Sequence, residues 1–453
     1  MDFFNHSRRK LYFSLVKKLK KIDSLYDVPV SIKYLTKSFL SRILLSNGNW
    51  LDPEYNLIQM HDVSFKNKSG LIAAIDVQCL RNNTFFRGIG RYTLSLVEAL
   101  ARKDENTNFL LYACNLNGTG NIPLVKQYID DLNLPNLKFC LIDLFEGKQI
   151  LSRDAAEIIL SKKLVDMQPA FVIVPSHFEH PSDAVHLYPH ESLNIFVIVH
   201  DIIPWRFQKD LLPLRSQKKF YKERIKELSK FAGVLTVSKY SAWDVGKELP
   251  QNSKIDVIGG SGFNTGFTPK AIKLKEKHGI LMIGAETSHK NVYGLLKAYS
   301  LLPIKIQQHH PLTIAGIHSV LERRKIQILG KDFRVTVKTP ELLSDQELQQ
   351  RFSSNRLIVV PSFIEGLSMP VMEGWLAGTL VIGSKATVLE EVIHFEELLF
   401  DPYSPEDVAR VIQQMLVDDK LWEKMFSLSK KRLEIYNWDN VASALLNVTK
   451  NDF

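Results

Sequence analysis

Glu365 and Glu373, separated by seven residues, bracket the run Gly366-Leu367-Ser368-Met369-Pro370. Upstream, Leu357 to Val360 is a short apolar run of the kind that forms a buried parallel strand. A polar, glycine-containing loop follows over Ser362 to Met369, and Pro370 suits a first helical position, where its missing N–H costs nothing. The helix continues through Val371, Met372, Trp375 and Leu376. Strand, loop and helix in this order aim the free N–H groups and positive dipole end of the helix into the loop, which makes an anion site. Glu373 falls in the first helical turn, and Glu365 stands before the loop. Taken singly, each has an ordinary explanation: an acid in a first turn stabilises a helix, and a glutamate before a glycine is a loop residue. Taken together they fit a ligand with a phosphate in the middle and hydroxyls at both ends. Carboxylates accept hydrogen bonds from sugar hydroxyls, while backbone N–H groups hold the phosphate. A nucleotide-sugar has that layout.

Three further stretches carry residue types suited to such a ligand. Arg87-Gly88-Ile89-Gly90-Arg91-Tyr92 lies between a first strand, Leu71 to Val77, and a helix expected from about Tyr92 to Arg102. Glycines there let a phosphate approach the backbone, and they equally serve a plain turn; the full dinucleotide fingerprint is absent. Arg87 and Arg91 offer positive charge to a phosphate or an acidic acceptor, or cover the surface. His200 and Asp201 follow the strand Asn194 to Val199, at the carboxyl end where open α/β sheets bind ligands. A histidine in that place is also often structural, and Asp201 orients His200 or the loop. Lys290 stands between the strand Gly279 to Ile283 and the helix Val292 to Leu301, where it meets a phosphate or sits in solvent.

With the preceding Val360-Pro361-Ser362 and the following Gly374 to Gly378, the two-glutamate motif resembles the signature of retaining glycosyltransferases of family 4. The resemblance runs over residues 71–450. It implies an α/β GT-B fold, two Rossmann-like domains facing across a cleft, and transfer of a sugar from a nucleotide-sugar with retention at the anomeric carbon. Carried onto this sequence, Gly88, Gly90 and Arg91 belong to a loop that meets the donor diphosphate, and His200 positions the donor sugar. Lys290, with His289 beside it, and the backbone of Gly366, Leu367 and Ser368 stabilise charge on the leaving diphosphate, which is electrostatic catalysis by preorganised donors. Glu373 holds the ribose and Glu365 the sugar hydroxyls. The leaving phosphate takes the acceptor proton in a same-face attack. No metal ion is implied, and no cofactor beyond the nucleotide-sugar substrate. The chain departs from the family where an arginine usually accompanies the lysine: those places hold Ala285 and His289. With a reference pKa of about 6.5, His289 carries a partial charge near neutrality. The Arg87 to Tyr92 loop together with His200-Asp201 resembles mannosyltransferases of surface polysaccharide assembly, which implies GDP-mannose ahead of a UDP-sugar as donor. The acceptor implied is a glycan or a lipid-linked saccharide.

Positioning these residues takes two doubly wound units. Phe109 to Ala113, Leu137 to Ile142, Phe171 to Val174 and Gly233 to Ser238 read as further strands of the first, with Ser238 an N-cap for the helix that follows. Asp256 to Pro269 is rich in glycine and small polar residues and resembles the family's hinge between domains. Leu312 to Ala315, Val335 to Val337 and Leu380 to Ile382 continue the second sheet, while Glu391 and Phe400-Asp401-Pro402 fit the family's last strands. A helix begins at Pro405, and Trp438 lies in a helical tail that in the family crosses back to the first domain. The organisation expected is a basic extension over 1–69, an acceptor domain over 70–262, a donor domain over 263–435 and a closing helix over 436–453.

The chain has 453 residues, 45% hydrophobic and 24% charged, as in ordinary globular proteins. Three scattered cysteines, Cys79, Cys114 and Cys140, form no disulfide framework and no metal spacing, which fits a reducing, cytoplasmic setting. Apolar runs are too short to span a bilayer, and lysines interrupt the N-terminal apolar residues, so no secretory signal is expected. Residues 1–69 hold 12 Lys and Arg against 6 Asp and Glu, most of the formal net charge of +9. Within them, residues 8–22 place Leu11, Leu15, Val16, Leu19 and Ile22 on one helical side and lysines on the other. Such a helix lies on an anionic membrane surface at the inner face, or packs on its own protein. No nucleic-acid partner is expected. Other classes compete: a non-catalytic GT-B scaffold or sugar-nucleotide-binding subunit, which the missing arginine favours, a GT-B epimerase or phosphorylase, and a nicotinamide enzyme, which the incomplete fingerprint disfavours.

Overall fold

Runs of four or five consecutive apolar residues recur along the chain, and strands of that kind are stable only where both faces of a sheet are covered. The computed structural model shows them in two parallel sheets. The residues it describes are 65, 70–115, 120–143, 145–146, 149–150, 153–180, 184–263, 272–341 and 343–450. The basic helix expected over residues 8–22 lies outside the described residues, as does much of the expected hinge.

The first sheet has seven strands: β1 (Ile72–Asp76), β2 (Asn108–Asn115), β3 (Leu137–Asp143), β4 (Phe171–Val174), β5 (Ile195–Val199), β6 (Gly233–Thr236) and β7 (Ile255–Val257). Their order is β3-β2-β1-β4-β5-β6-β7. β1 lies between β2 and β4, parallel to both, with Ala73 opposite Phe109 and Phe171. The second sheet has six strands: β8 (Ile280–Ile283), β9 (Leu312–Ala315), β10 (Val337–Lys338), β11 (Leu357–Val360), β12 (Leu380–Ser384) and β13 (Leu399–Phe400), in the order β10-β9-β8-β11-β12-β13. Each is a Rossmann-like α/β sheet, with the chain winding outward in both directions from a central pair. Within the second sheet the residues of β8, β9, β11 and β12 are almost wholly buried, and β8 pairs with β11 through Ile280 opposite Leu357.

Packing divides the described chain into two compact units. One runs up to Ile198 and takes in Glu223–Val234 and Asn252–Lys254; the other comprises Val199–Lys222, Leu235–Gln251 and the chain from Ile255 onward. His200, Asp201, Ser238 and the whole second sheet therefore share one unit.

Two expectations change here. The stretch before Tyr92 is no loop: α1 (Gly88–Lys103) includes Gly88, Gly90 and Arg91 in its first turns. The cause is packing. A Cβ on Gly90 would run into the backbone of Thr84 and Phe85, so its glycine admits the 3-10 turn Asn83–Phe86 against the helix. Part of the expected hinge is also a strand, since Ile255–Val257 forms the edge β7. The prediction that follows is a contrast. Gly90→Ala loses about 1–3 kcal/mol of stability through the forced backbone shift. Gly88→Ala, whose Cβ would meet nothing within 4 Å, is neutral or gains up to about 1 kcal/mol. Urea denaturation of the two variants against the parent checks it.

Candidate active site

In an open α/β sheet, ligands bind beyond the carboxyl ends of the strands where the winding direction reverses. In the second sheet that reversal lies between β8 and β11, and both strands end in loops that carry the residues singled out above. β8 leads through a 3-10 turn, Ser288–Lys290, into α3 (Val292–Ser300). β11 leads through residues 361–368 into α4 (Met369–Leu376). Asn291 adopts left-handed backbone geometry (φ 54°) and caps α3 by accepting the Gly294 N–H. Its amide also donates to the carbonyls of Pro361 (3.1 Å) and Pro402 (2.9 Å). Phe363 N–H donates to His289 O at 2.8 Å. The two loops are thereby tied together.

Lys290 Nζ meets Glu365 Oε1 at 2.8 Å, and the Ser362 hydroxyl donates to the same oxygen at 2.6 Å. Glu365 is 7% exposed. Burial pushes its carboxyl up, but the Lys290 charge and the hydrogen bonds from Lys290 and Ser362 outweigh it and hold the group below its ordinary range. His289, directly beside Lys290, behaves oppositely. Burial and the Lys290 charge depress its imidazole to about 4, against a smaller opposing pull from Glu365. The ring is therefore neutral near pH 7, which corrects the partial charge expected from its reference value.

The loop between the two glutamates is buried rather than open. A Cβ on Gly366 would lie 2.5 Å from His200 O and 2.9 Å from Asp201 Cβ, so only glycine fits against the end of β5. Ser368 is left-handed (φ 65°, ψ 64°) and takes the N-cap place, which starts α4 at Met369 instead of Pro370. Glu373 consequently falls in the second turn, not the first, and it is fully buried. A left-handed residue followed by a helical one turns successive N–H groups toward a common concavity, a nest for an anion. Among the described residues the N–H groups of Gly366, Leu367, Ser368 and Met369 find no hydrogen-bond acceptor. The Ser368 hydroxyl, in a residue 6% exposed, likewise makes no hydrogen bond to a described residue. Buried backbone donors are paired in native proteins, with protein, water or ligand. Four consecutive amides and a hydroxyl without partners among the described residues, next to a lysine, have the donor chemistry of a cradle for an anion.

Asp201 sits against this loop. Its Oδ1 accepts the Ile203 N–H at 2.9 Å, so it shapes the turn after β5. Burial raises its carboxyl to about 6, with the Ile203 hydrogen bond pulling down, Glu365 pushing up and Lys290 pulling down. His200, half-buried, offers its main-chain carbonyl to the Ser241 hydroxyl at 2.8 Å. His200, His289, Lys290, Glu365, Gly366, Leu367, Ser368 and Glu373 thus all belong to one unit. Gly88, Gly90 and Arg91 belong to the other, on the first turns of α1. Ser362, Asn291, Ser238 and Ser241 were not singled out as site residues. Each follows or caps a strand-to-helix connection, the one signal that could have marked them.

The likeness to solved structures defines the class. Sucrose-phosphate synthase from Thermosynechococcus elongatus superimposes with a TM-score of 0.62 at 17% identity, covering 85% of this chain and 99% of that one. The Anabaena protein HepE, solved in complex with UDP and glucose, gives 0.61 at 12% identity over 84% of this chain and all of that one. At such identities the likeness is one of fold, two Rossmann-like parallel-sheet domains of the GT-B class. Residues 267–432, which hold the cradle, match the family model described as glycosyl transferases group 1. Among curated proteins, the chain is similar to the serotype-specific mannosyltransferase WbdA of Escherichia coli, 24% identical over 394 residues, 81% of this chain and 46% of the relative. It is also similar to O-antigen chain mannosyltransferase B of Escherichia coli, 29% identical over 171 residues, 38% of this chain and 45% of the relative. The chain spans under half the length of these curated relatives.

A pH dependence follows from Asp201. Its folded value of about 6 lies above the ordinary 3.8, so the folded state favours the protonated acid. The contribution is fully present below pH ~4 and is lost as pH rises through ~6. Asp201→Asn keeps an oxygen for the Ile203 N–H but carries no charge. It melts several degrees above the parent at about pH 7.5, with the gap closing toward about pH 4.5. Thermal melts across that range check it, and a gap independent of pH would contradict it.

Proposed function

We propose that this chain is a glycosyltransferase that moves a hexose from a nucleotide-sugar to a saccharide acceptor. The observation that carries the reading is the anion cradle at the switch point of the second sheet: four loop amides, in buried residues, without a hydrogen-bond acceptor among the described residues, beside Lys290. In it the donor diphosphate accepts hydrogen bonds from Leu367 and Ser368 N–H, main-chain donors already in place, and the positive end of α4 and Lys290 stabilise charge growing on the leaving group. Lys290 exchanges its glutamate partner for phosphate, and Glu365, ionised at neutral pH, then accepts hydrogen bonds from sugar hydroxyls. Glu373 holds the ribose and His200 the sugar. Transfer proceeds with retention: the acceptor oxygen bonds to the anomeric carbon on the face the diphosphate leaves, and the acceptor proton passes to a departing phosphate oxygen.

The relatives point to the sugar. Both are mannosyltransferases by name, one of them for an O-antigen chain. We take GDP-mannose as the first donor to test, UDP-sugars as the second, and a polysaccharide or lipid-linked saccharide as the acceptor. A second reading, a nucleotide-sugar-binding scaffold without turnover, draws on the neutral His289 and on Ala285, which leave the cradle without the cation usual in the resembled family.

Lys290→Gln, which leaves Glu365 a hydrogen-bonding neighbour, lowers turnover about 100-fold while changing donor affinity less. Glu373→Gln raises the donor KM about tenfold with kcat little changed. Release of nucleotide from GDP-mannose and a UDP-sugar panel, with and without saccharide acceptors, reads both. Full turnover in both variants would overturn the site, and tight donor binding with no turnover in the parent would favour the scaffold.

A further inference from the structure

The cradle works only if its amides point at the ligand, and a main-chain amide is aimed by whatever holds the carbonyl of the same peptide. In a trans peptide the C=O of one residue and the N–H of the next point to opposite sides. The Gly366 carbonyl is held by two buried hydroxyls: Ser238 Oγ donates to it at 2.7 Å and Ser241 Oγ at 3.1 Å. Both serines open the helix α2 (Lys239–Gly246), Ser238 as its N-cap, accepting the Ser241 N–H at 3.0 Å. Ser241 Oγ shares its single proton between Gly366 O and His200 O, the latter at 2.8 Å. The start of α2 is fixed in turn by Glu391, whose two carboxylate oxygens accept the Lys239 N–H (3.2 Å) and the Tyr240 N–H (3.1 Å). The N–H groups of this helix end are therefore spent within the protein, so α2 binds no ligand itself.

We propose that the first turn of α2 is a clamp that orients the Gly366–Leu367 peptide, with Ser238 and Ser241 as positioning residues that aim the Leu367 amide at the donor diphosphate. With its carbonyl drawn toward α2, the peptide presents the Leu367 N–H to the other side, and that N–H has no acceptor among the described residues. Gly366 must be glycine because the clamp draws it against His200 O and Asp201. The same hydroxyl of Ser241 joins His200 to the cradle, so the sugar side and the phosphate side of the site are set by one group. A carbonyl oxygen has two lone pairs, so both hydroxyls can bond it at once, and together they hold the peptide plane more tightly than either alone. This inference rests on the cradle being the donor site.

The test uses the full-length chain with Ser241→Ala, Ser238→Gly and the double variant. Glycine at an N-cap costs only a few tenths of a kcal/mol, so Ser238→Gly removes the hydroxyl while keeping the helix start. Isothermal titration is run with GDP and guanosine, and in parallel with UDP and uridine. Each single variant loses about tenfold in affinity for the diphosphate, the double variant more, and affinity for the matching nucleoside is unchanged. Ser238→Thr, which restores a hydroxyl, recovers the diphosphate affinity. Parallel losses for diphosphate and nucleoside, or no loss for either, would overturn the clamp and leave the donor site standing. If neither diphosphate binds the parent at all, the donor reading itself fails, and the clamp with it.

Discussion

A carboxylate taken out of water costs several kcal/mol unless cations and donors replace its hydration, and Glu365 is buried at the end of a central strand. The chain meets that constraint with Lys290 and Ser362. Lys290 can reach Glu365 only because β8 and β11 are neighbours and their loops rise side by side. Asn291, left-handed and bonded to both Pro361 and Pro402, holds the lysine-bearing turn in that place. The ion pair therefore requires the strand order, and the strand order fixes the switch point, the place where open α/β sheets in general bind ligands. The same pair presents a cation beside a row of buried amides, with a carboxylate below its usual range next to it.

This couples stability to chemistry in one direction. Under the proposed function, a phosphate entering the cradle would give Lys290 a new partner and leave Glu365 to sugar hydroxyls, so a nucleotide-sugar would replace the ion pair with two sets of charge-assisted hydrogen bonds. An inorganic anion satisfies only the first set. Asp201 adds a second, half-buried carboxylate that is reluctant to ionise, so the surroundings of the cradle hold less negative charge at mildly acid pH than at neutral pH.

The strands that sit in the middle of each sheet were legible in the sequence. Leu357 to Val360 and Phe171 to Val174 are uninterrupted apolar runs, Leu312 to Ala315 is broken only by Thr313, all three are buried on both faces, and their ends agree with the structure to the residue. Edges were not. Ile255–Val257 is half exposed and lies in a glycine-rich neighbourhood, so no pattern of burial marks it. The start of α1 was misplaced because two glycines argue against a helix, whereas the close approach of the Asn83–Phe86 turn demands one of them. At the candidate site, the residue types of Lys290, Glu365 and Glu373 were readable, since charged groups flanking a glycine loop need a reason. The serines holding Gly366 act across 128 and 125 positions of sequence, and the neutral His289 follows from its burial, neither of which a local pattern records.

The most direct test is a crystal structure of the full-length chain with intact GDP-mannose or, if that does not bind, a UDP-hexose. The account predicts diphosphate oxygens about 3 Å from the N–H groups of Leu367 and Ser368 and from Lys290 Nζ, with Glu365 turned to the sugar. A nucleotide-sugar bound elsewhere, with those amides unengaged and the Lys290–Glu365 pair intact, would contradict it.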